Sequence, residues 1–389
     1  MIETKFKQTE AGLIPEDWEI KKIGQVCSIG NGRDYKHLKS GNVPVYGTGG
    51  VMCYVDKYLH DGETVCIGRK GTIDYPIYHN GKIWTVDTLF YTHSFNDILP
   101  YYLYNVFQLI NWYDYNEATG VPSLSKVNIL NIPIAIPKTL DEQQRIAEAL
   151  SDVDALISSL GKMIEKKRNI KLATMQEHLT GKKRLPGFTE PWEEKKLGSL
   201  CSVHGRIGFR GYTKADLVKK GQGAITYSPS DIHNQILDNS NCDYISLQKY
   251  EESPEIKVFN GDILFCKTAS IGKCAIVENL HELATINPQF VVLKNFNCNN
   301  QFLYYKLISS DFQDNIKCIT GGSTIPTMSQ EKLKEQILIM PSPEEQTAIA
   351  NILMDIDNAI AKLETRKKKY EAIKQGMMQQ LLTGRIRLV

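Results

Sequence analysis

Two stretches decide the fold: DEQQRIAEALSDVDALISSL, Asp141–Leu160, and EEQTAIANILMDIDNAIAKL, Glu344–Leu363, related by a constant shift of 203 positions. Gln143 falls opposite Gln346, Ile146 opposite Ile349, Leu150 opposite Leu353, Asp152 opposite Asp355 and Asp154 opposite Asp357. The match runs on to Leu179-Thr180-Gly181 against Leu382-Thr383-Gly384, with 18 of the 44 positions from 141 to 184 identical to their counterparts. Chance likeness between single elements rarely reaches that level, so the chain is a tandem duplication.

Both copies read as helix. Apolar residues recur at steps of four and three through Ile146, Leu150, Val153, Ile157, Leu160 and Ile164, and again through Ile349, Leu353, Ile356, Ile360 and Leu363, which is the pattern of a coiled-coil seam. No proline interrupts either run, so about 40 residues in one helix would extend about 60 Å. Gly181 and Gly384 mark the stops. Each stripe is too long and narrow for one small domain to cover, and its equal lies in the same chain, so the two helices are predicted to pair antiparallel. A surface helix on each domain is the plainer alternative. The basic clusters Lys166-Lys167-Arg168 and Arg366-Lys367-Lys368-Lys369 fit a solvated face; the helices' exposed sides are also candidate docking ground for protein partners.

A second match opens each globular segment: Trp18-Glu19-Ile20-Lys21-Lys22-Ile23-Gly24 against Trp192-Glu193-Glu194-Lys195-Lys196-Leu197-Gly198, with a shift of 174. The later shift of 203 means that the second segment carries about 29 extra residues. Inside, Gly62, Cys66 and Gly71 fall opposite Gly261, Cys266 and Gly272, and Thr119-Gly120-Val121-Pro122 resembles Thr320-Gly321-Gly322 followed by Ile325-Pro326. Runs such as Glu63 to Ile67, Ile263 to Cys266 and Phe290 to Leu293 read as strands, and those around Tyr101 to Leu109 and Gln301 to Ile308 as helices. The expected division is domain 1 over 1–140, a helix over 141–181, a linker over 182–196, domain 2 over 197–342 and a second helix over 343–384. After Leu185 the chain continues through Pro186-Gly187-Phe188-Thr189-Glu190-Pro191 to Trp192, whereas after Leu388 it reaches its last residue. Its end can hand over to its own beginning, which predicts a pseudo-twofold circular arrangement.

Composition narrows the functional classes. The 389 residues, 42% hydrophobic and 23% charged, are ordinary for a globular protein with two or more cores. A formal net charge of +2 neither announces nor excludes nucleic acid. No run nears the roughly 18 apolar residues of a membrane span, and the start MIETKFKQTEAGLIPEDW lacks a signal-peptide core; a cytoplasmic protein without membrane contact is expected. The nine cysteines form no C-x-x-C, and the eight histidines form no H-E-x-x-H, so no metal site is predicted.

Taken in order, the P-x-D-W-E and E-P-W-E domain starts, Gly68-Arg69-Lys70-Gly71-Thr72, Trp84-Thr85-Val86-Asp87-Thr88-Leu89-Phe90, the helix openings Glu142-Gln143-Gln144-Arg145-Ile146-Ala147 and Glu345-Gln346-Thr347-Ala348-Ile349-Ala350, and the L-T-G helix ends resemble the specificity subunit of a type I restriction-modification system. The resemblance implies an α+β protein with two mixed α/β target recognition domains joined by two long helices in an antiparallel coiled coil. It implies that each domain reads half of a split site in double-stranded DNA. It also implies that this chain has no catalytic residue or cofactor of its own. Two modification subunits would bring S-adenosylmethionine and methylate adenine, and restriction subunits would bring ATP and magnesium for translocation and cleavage.

Basic and hydroxylic residues beside glycines are the candidate DNA contacts: Arg33, Lys36, Arg69, Lys70 and Thr72 in the first domain, and Arg206, Arg210, Lys267, Thr268, Ser270 and Lys273 in the second. Arginine can bracket guanine edges, while hydroxyls and backbone amides can approach phosphate. An adenine methyltransferase is the rival enzyme, because Asn287-Pro288-Gln289-Phe290 approaches an N-P-P-F motif; the second proline and a glycine-rich cofactor turn are missing. Glu19-Ile20-Lys21 lacks the neighbouring aspartate of a metal nuclease. Gly30-Asn31-Gly32 and Gly47-Thr48-Gly49-Gly50 lack the rest of a phosphate-binding loop and read as turns. A coiled-coil scaffold without DNA is the remaining class.

Overall fold

The structure, a computed structural model, describes residues 5–10, 12–208, 211–320 and 326–389. Four helices carry the architecture: α1 (Pro100–Leu109), α2 (Leu140–His178), α3 (Asn300–Ile308) and α4 (Pro343–Leu381). The chain divides into two compact units, Met1–Met163 with Leu363–Val389, and Ile164–Lys362. Unit 1 thus holds the first part of α2 and the last part of α4, and unit 2 holds the converse. Asp154 of α2 meets Lys374 of α4 at 2.8 Å in unit 1, and Lys171 of α2 meets Asp357 of α4 at 2.7 Å in unit 2. Seventeen residues forward along one helix is seventeen back along the other, the antiparallel register that the seam predicted.

All eleven seam positions are buried or half-buried, but they serve two purposes. Ile146 and Leu150 belong to the core of unit 1 together with Met378, Leu381 and Leu382 from the end of α4. Ile349 and Leu353 join the core of unit 2 with Met175 and Leu179. Each helix start is therefore also part of a domain core, whereas the apolar seam residues Val153, Ile157 and Leu160, with Ile356, Ile360 and Leu363, join neither core.

In unit 1 the strands β1 (Ser28–Asn31), β2 (Ser40–Gly47), β3 (Gly50–Val55), β4 (His60–Gly68), β5 (Ile77–Thr85) and β6 (Leu89–His93) form one sheet in the order β1-β6-β4-β5-β2-β3. Helix α1 buries Tyr102, Leu103, Val106 and Phe107 against it. Unit 2 repeats the frame with β7 (Ser202–Gly205), β8 (Leu217–Val218), β9 (Ala224–Tyr227), β10 (Asp243–Ile245), β11 (Ile263–Cys266), β12 (Cys274–Ile276), β13 (Ala284–Ile286) and β14 (Phe290–Lys294). Here there are two sheets, β7-β14-β11-β12 and β8-β10-β9-β13. The nine-residue β5 of unit 1 has two counterparts, β12 and β13, because the chain loops out between Ile276 and Ala284.

Glu19–Lys22 pairs antiparallel with Pro133–Ile136, and Glu193–Lys196 with Ile337–Met340. Each domain start is thereby tied to the segment leading into its long helix, so both ends of the domain carry the repeat. Where α4 ends, Arg387 pairs with the buried Glu142 and with Asp17 at 2.8 Å, 5.8 Å over the Trp18 ring. Where α2 ends, Arg184 pairs with the buried Glu345 at 2.7 Å, 5.7 Å over Trp192. Within unit 1 the chain end closes on the first domain as its mid-chain equivalent closes on the second.

Candidate nucleic-acid interface

The turn after β4 organises one edge of unit 1. The Arg69 N–H donates to the Thr88 carbonyl at 2.8 Å, the Leu124 N–H to the Arg69 carbonyl at 2.9 Å, and the Gly71 N–H to the Pro122 carbonyl at 2.9 Å. Arg33 is fixed alongside: its N–H donates to Thr85 at 2.8 Å, and its carbonyl accepts from Trp84 Nε1 at 2.9 Å. The β2–β3 hairpin tip reaches the same place, since a Cβ on Gly71 would lie 3.9 Å from Thr48 Oγ1. The packing is too close for side chains at two points. A Cβ on Gly68 would come within 2.0 Å of the Thr72 carbonyl oxygen, and one on Gly32 within 1.9 Å of that of Val86. Four loops converge, and Arg33, Lys36, Arg69, Lys70 and Thr72 all stand exposed on them. The Arg69 guanidinium is steadied 5.8 Å over the Phe90 ring.

Unit 2 builds the same turn with other side chains. The Lys267 N–H donates to Gln289 at 2.8 Å, the Met328 N–H to Lys267 at 2.9 Å, and the Ala269 N–H to Pro326 at 3.0 Å; Thr268 bridges Thr327 as Lys70 bridges Ser123. Arg69-Lys70-Gly71-Thr72 therefore corresponds to Lys267-Thr268-Ala269-Ser270. This corrects the register read from the sequence by two to three residues: the counterpart of Cys266 is Gly68 rather than Cys66, and that of Gly71 is Ala269 rather than Gly272. Ala269 keeps the left-handed backbone of Gly71, with φ of 62° against 94°.

Lys267 and Thr268 are half-buried and Ser270 is exposed on this turn. Two candidates turn inward instead. Arg206 is 6% exposed, donates to the Ile286 carbonyl at 3.1 Å, and lies 5.1 Å over the Tyr212 ring; burial pushes its pKa below the ordinary arginine value. It follows β7 directly, so it points between the sheets rather than out of a loop. Lys273 donates its ammonium to the Pro229 carbonyl, which ties two loops of the domain. Arg210 and the Gly321 to Ile325 stretch lie outside the described residues.

The methyltransferase-like Asn287-Pro288-Gln289-Phe290 is a turn common to both units. The Phe290 N–H returns to Asn287 O at 3.2 Å as the Leu89 N–H returns to Val86 O at 2.9 Å, and Asn287 Oδ1 accepts from the Gln289 N–H at 3.0 Å. Its counterpart is Val86–Leu89. Glu19 and Lys21 face each other at 3.8 Å. Among the described residues no group of three or more His, Cys, Asp or Glu could hold a metal ion. The nine cysteines are free; burial lifts the Cys27, Cys66 and Cys201 thiols to about 12, which leaves them unreactive. No described helix is long and apolar enough to cross a membrane.

The sequence model of the type I restriction modification DNA specificity domain matches residues 15–171 and 189–375. The chain belongs to that family. It is 27% identical to the type I restriction enzyme MjaVIII specificity subunit of Methanocaldococcus jannaschii, over 99% of this chain and 97% of the relative. It is 24% identical to a putative type I restriction enzyme specificity subunit of Haemophilus influenzae, over 92% and 95% of the two chains. Among solved structures, the S subunit of a type I restriction-modification system from M. genitalium shares the fold with a TM-score of 0.66 at 14% identity, covering 97% of this chain and 98% of the other. The two matched segments of the family are the two repeats identified above.

Proposed function

We propose that this chain is the DNA sequence-specificity subunit of a type I restriction-modification complex, in which each unit reads one half of a two-part target in double-stranded DNA. One observation carries the reading: the two units present the same backbone turn, with the same hydrogen bonds, but with Arg69-Lys70-Gly71-Thr72 in one and Lys267-Thr268-Ala269-Ser270 in the other. A shared frame with unlike side chains suits two readers of different bases. Phosphate contacts from lysine and hydroxyl groups position such a turn, and arginine on guanine edges supplies choice of base. In this role we place Arg33, Lys36, Arg69, Lys70 and Thr72 on one half-site and Lys267, Thr268 and Ser270 on the other.

Chemistry in this reading belongs to partners. Two modification subunits would supply S-adenosylmethionine and adenine methylation, restriction subunits would supply ATP hydrolysis with magnesium, and this chain would supply address alone. Helices α2 and α4, which contribute to both units, would set the unspecified gap, since paired helices hold a length that a flexible linker would blur. Exchange of residues 197–340 for the second domain of another specificity subunit is expected to change one half of the methylated sequence and leave the other half unchanged. Altered bases in both halves would refute the assignment of one reader to each unit.

A further inference from the structure

Asp154 and Asp357 occupy the same place in the two repeats, yet a hydrophobic seam has no use for a carboxylate. In unit 1, Asp154 Oδ2 accepts the Tyr101 hydroxyl of α1 at 2.7 Å, and Oδ1 pairs with Lys374 of α4 at 2.8 Å. One side chain of α2 thus binds the domain helix and the partner helix together. In unit 2 the helices exchange roles: Asp357 of α4 accepts the Tyr305 hydroxyl of α3 at 2.8 Å and pairs with Lys171 of α2 at 2.7 Å. Both lysines are largely covered, with side-chain exposures of 12% and 17%.

We propose that these two Tyr-Asp-Lys groups are positioning elements that fix the angle of each domain on its helices, and thereby the number of base pairs tolerated between the half-sites. The proposal rests on the two-reader function above. Its physical basis is the difference between apolar and polar contact. The clusters around Ile146 and Leu150, and around Ile349 and Leu353, supply cohesion without direction, so a domain can roll slightly on them at small cost. A carboxylate whose two oxygens are held from two elements cannot follow such a roll, because a hydrogen bond weakens steeply below about 120° or with an ångström or so of stretch.

The required tolerance is set by DNA. One base pair more or less displaces a half-site by about 3.4 Å and turns it by roughly 35°, given about 10.5 base pairs per turn. A reader free to roll by that much would accept neighbouring gaps. The apolar residues around each aspartate already supply cohesion, so orientation explains the duplicated geometry better than cohesion does.

The test offers the full chain a pool of duplexes in which bases and spacer length vary, and sequences those retained. The unsubstituted chain is expected to keep a single spacer. Asp154→Asn with Asp357→Asn is expected to keep both half-site sequences but to admit spacers one base pair longer and shorter, from near absence to about a tenth or more of the main class. Tyr101→Phe with Tyr305→Phe removes only two hydroxyls, leaves the packing intact, and is expected to broaden the spacer in the same sense. A spacer as sharp as the original in both variants overturns the proposal, and so does weakened base choice without a broader spacer. If the unsubstituted chain retains no two-part sequence, the two-reader function itself falls and the proposal falls with it.

Discussion

At single residues the two units solve one problem with different chemistry. Lys306 of α3 donates to the Leu179 carbonyl at 2.6 Å and lies 5.6 Å over the Trp192 ring, so it closes the end of α2 with a cation. Counted from the helix N-caps Leu99 and Asn299, Val106 of α1 stands where Lys306 does, and it is buried in the apolar core of its unit. Burial lowers the Lys306 pKa from 10.5 to about 8, against a smaller opposing pull from Asp311. The unfolded chain therefore holds the extra proton between about pH 8 and 10.5, and the sign of the linkage makes folding more favourable as pH rises through that window. Below pH 8 the cost of burying the cation is present in full. Thermal unfolding at pH 7 and pH 10 should show the unsubstituted protein gaining stability relative to Lys306→Met as pH rises; a difference independent of pH would contradict the assignment. Arg387 and Arg184 show the opposite economy, with equal residues making equal pairs onto Glu142 and Glu345. Arg387 also holds the Asp17 carboxyl below its usual range.

At the scale of elements, the long helices are less uniform than their periodicity. Leu150 and Leu353 are fully buried in domain cores, whereas Val153 and Ile157 are only half-buried. Leu150→Ala or Leu353→Ala is expected to cost about 2–5 kcal/mol, as large-to-small changes in closed cores do, and Val153→Ala well under half of that; denaturant midpoints on single variants check the ranking. Periodicity reports that a face is covered but not by what. It therefore located the helices and their covered faces while remaining blind to the domain cores they complete. In the strands, Cys66 and Cys266 invited an alignment that hydrogen bonding moves by two residues, because a lone shared cysteine is weaker evidence of register than a ladder. The 29 extra residues were countable from the shifts, but the loop between Ile276 and Ala284 that divides one sheet into two was not.

At the scale of the molecule, unit 1 is made from both chain ends and unit 2 from the middle, so the helices are shared by two cores. Their register is constrained by Asp154 with Lys374 and by Lys171 with Asp357, and Gly161 faces Lys367 in the same register. Within unit 1 residues 161–163 thus stand opposite 365–367, and within unit 2 residues 166 and 167 opposite 362 and 361, so the equivalent heptads are 161–167 and 361–367. Deleting both heptads together removes about 10 Å of paired helix and, at about 3.4 Å per base pair, should shorten the gap by about three base pairs with both half-sites retained. Methylated-base sequencing in cells carrying the deletion reads the outcome, and an unchanged gap would exclude the helices as the ruler.

The sequence by itself determined the duplication, the two helices, their antiparallel sense and the family, because each is written in spacing and identity along the chain. It also marked Gln143, Asp154, Gln346 and Asp357 as shared without giving a reason. Only the tertiary structure supplied one: Gln143 Oε1 accepts the Leu99 N–H at 3.0 Å and Gln346 Oε1 the Asn299 N–H at 3.0 Å, while the aspartates bind tyrosines more than fifty positions away. The tertiary structure also buries Arg206 among the candidate residues and turns Lys273 onto its own domain. A charged residue beside a glycine looks the same in sequence whether its loop faces solvent or a neighbouring strand, and only the folding of distant segments onto that loop decides between them.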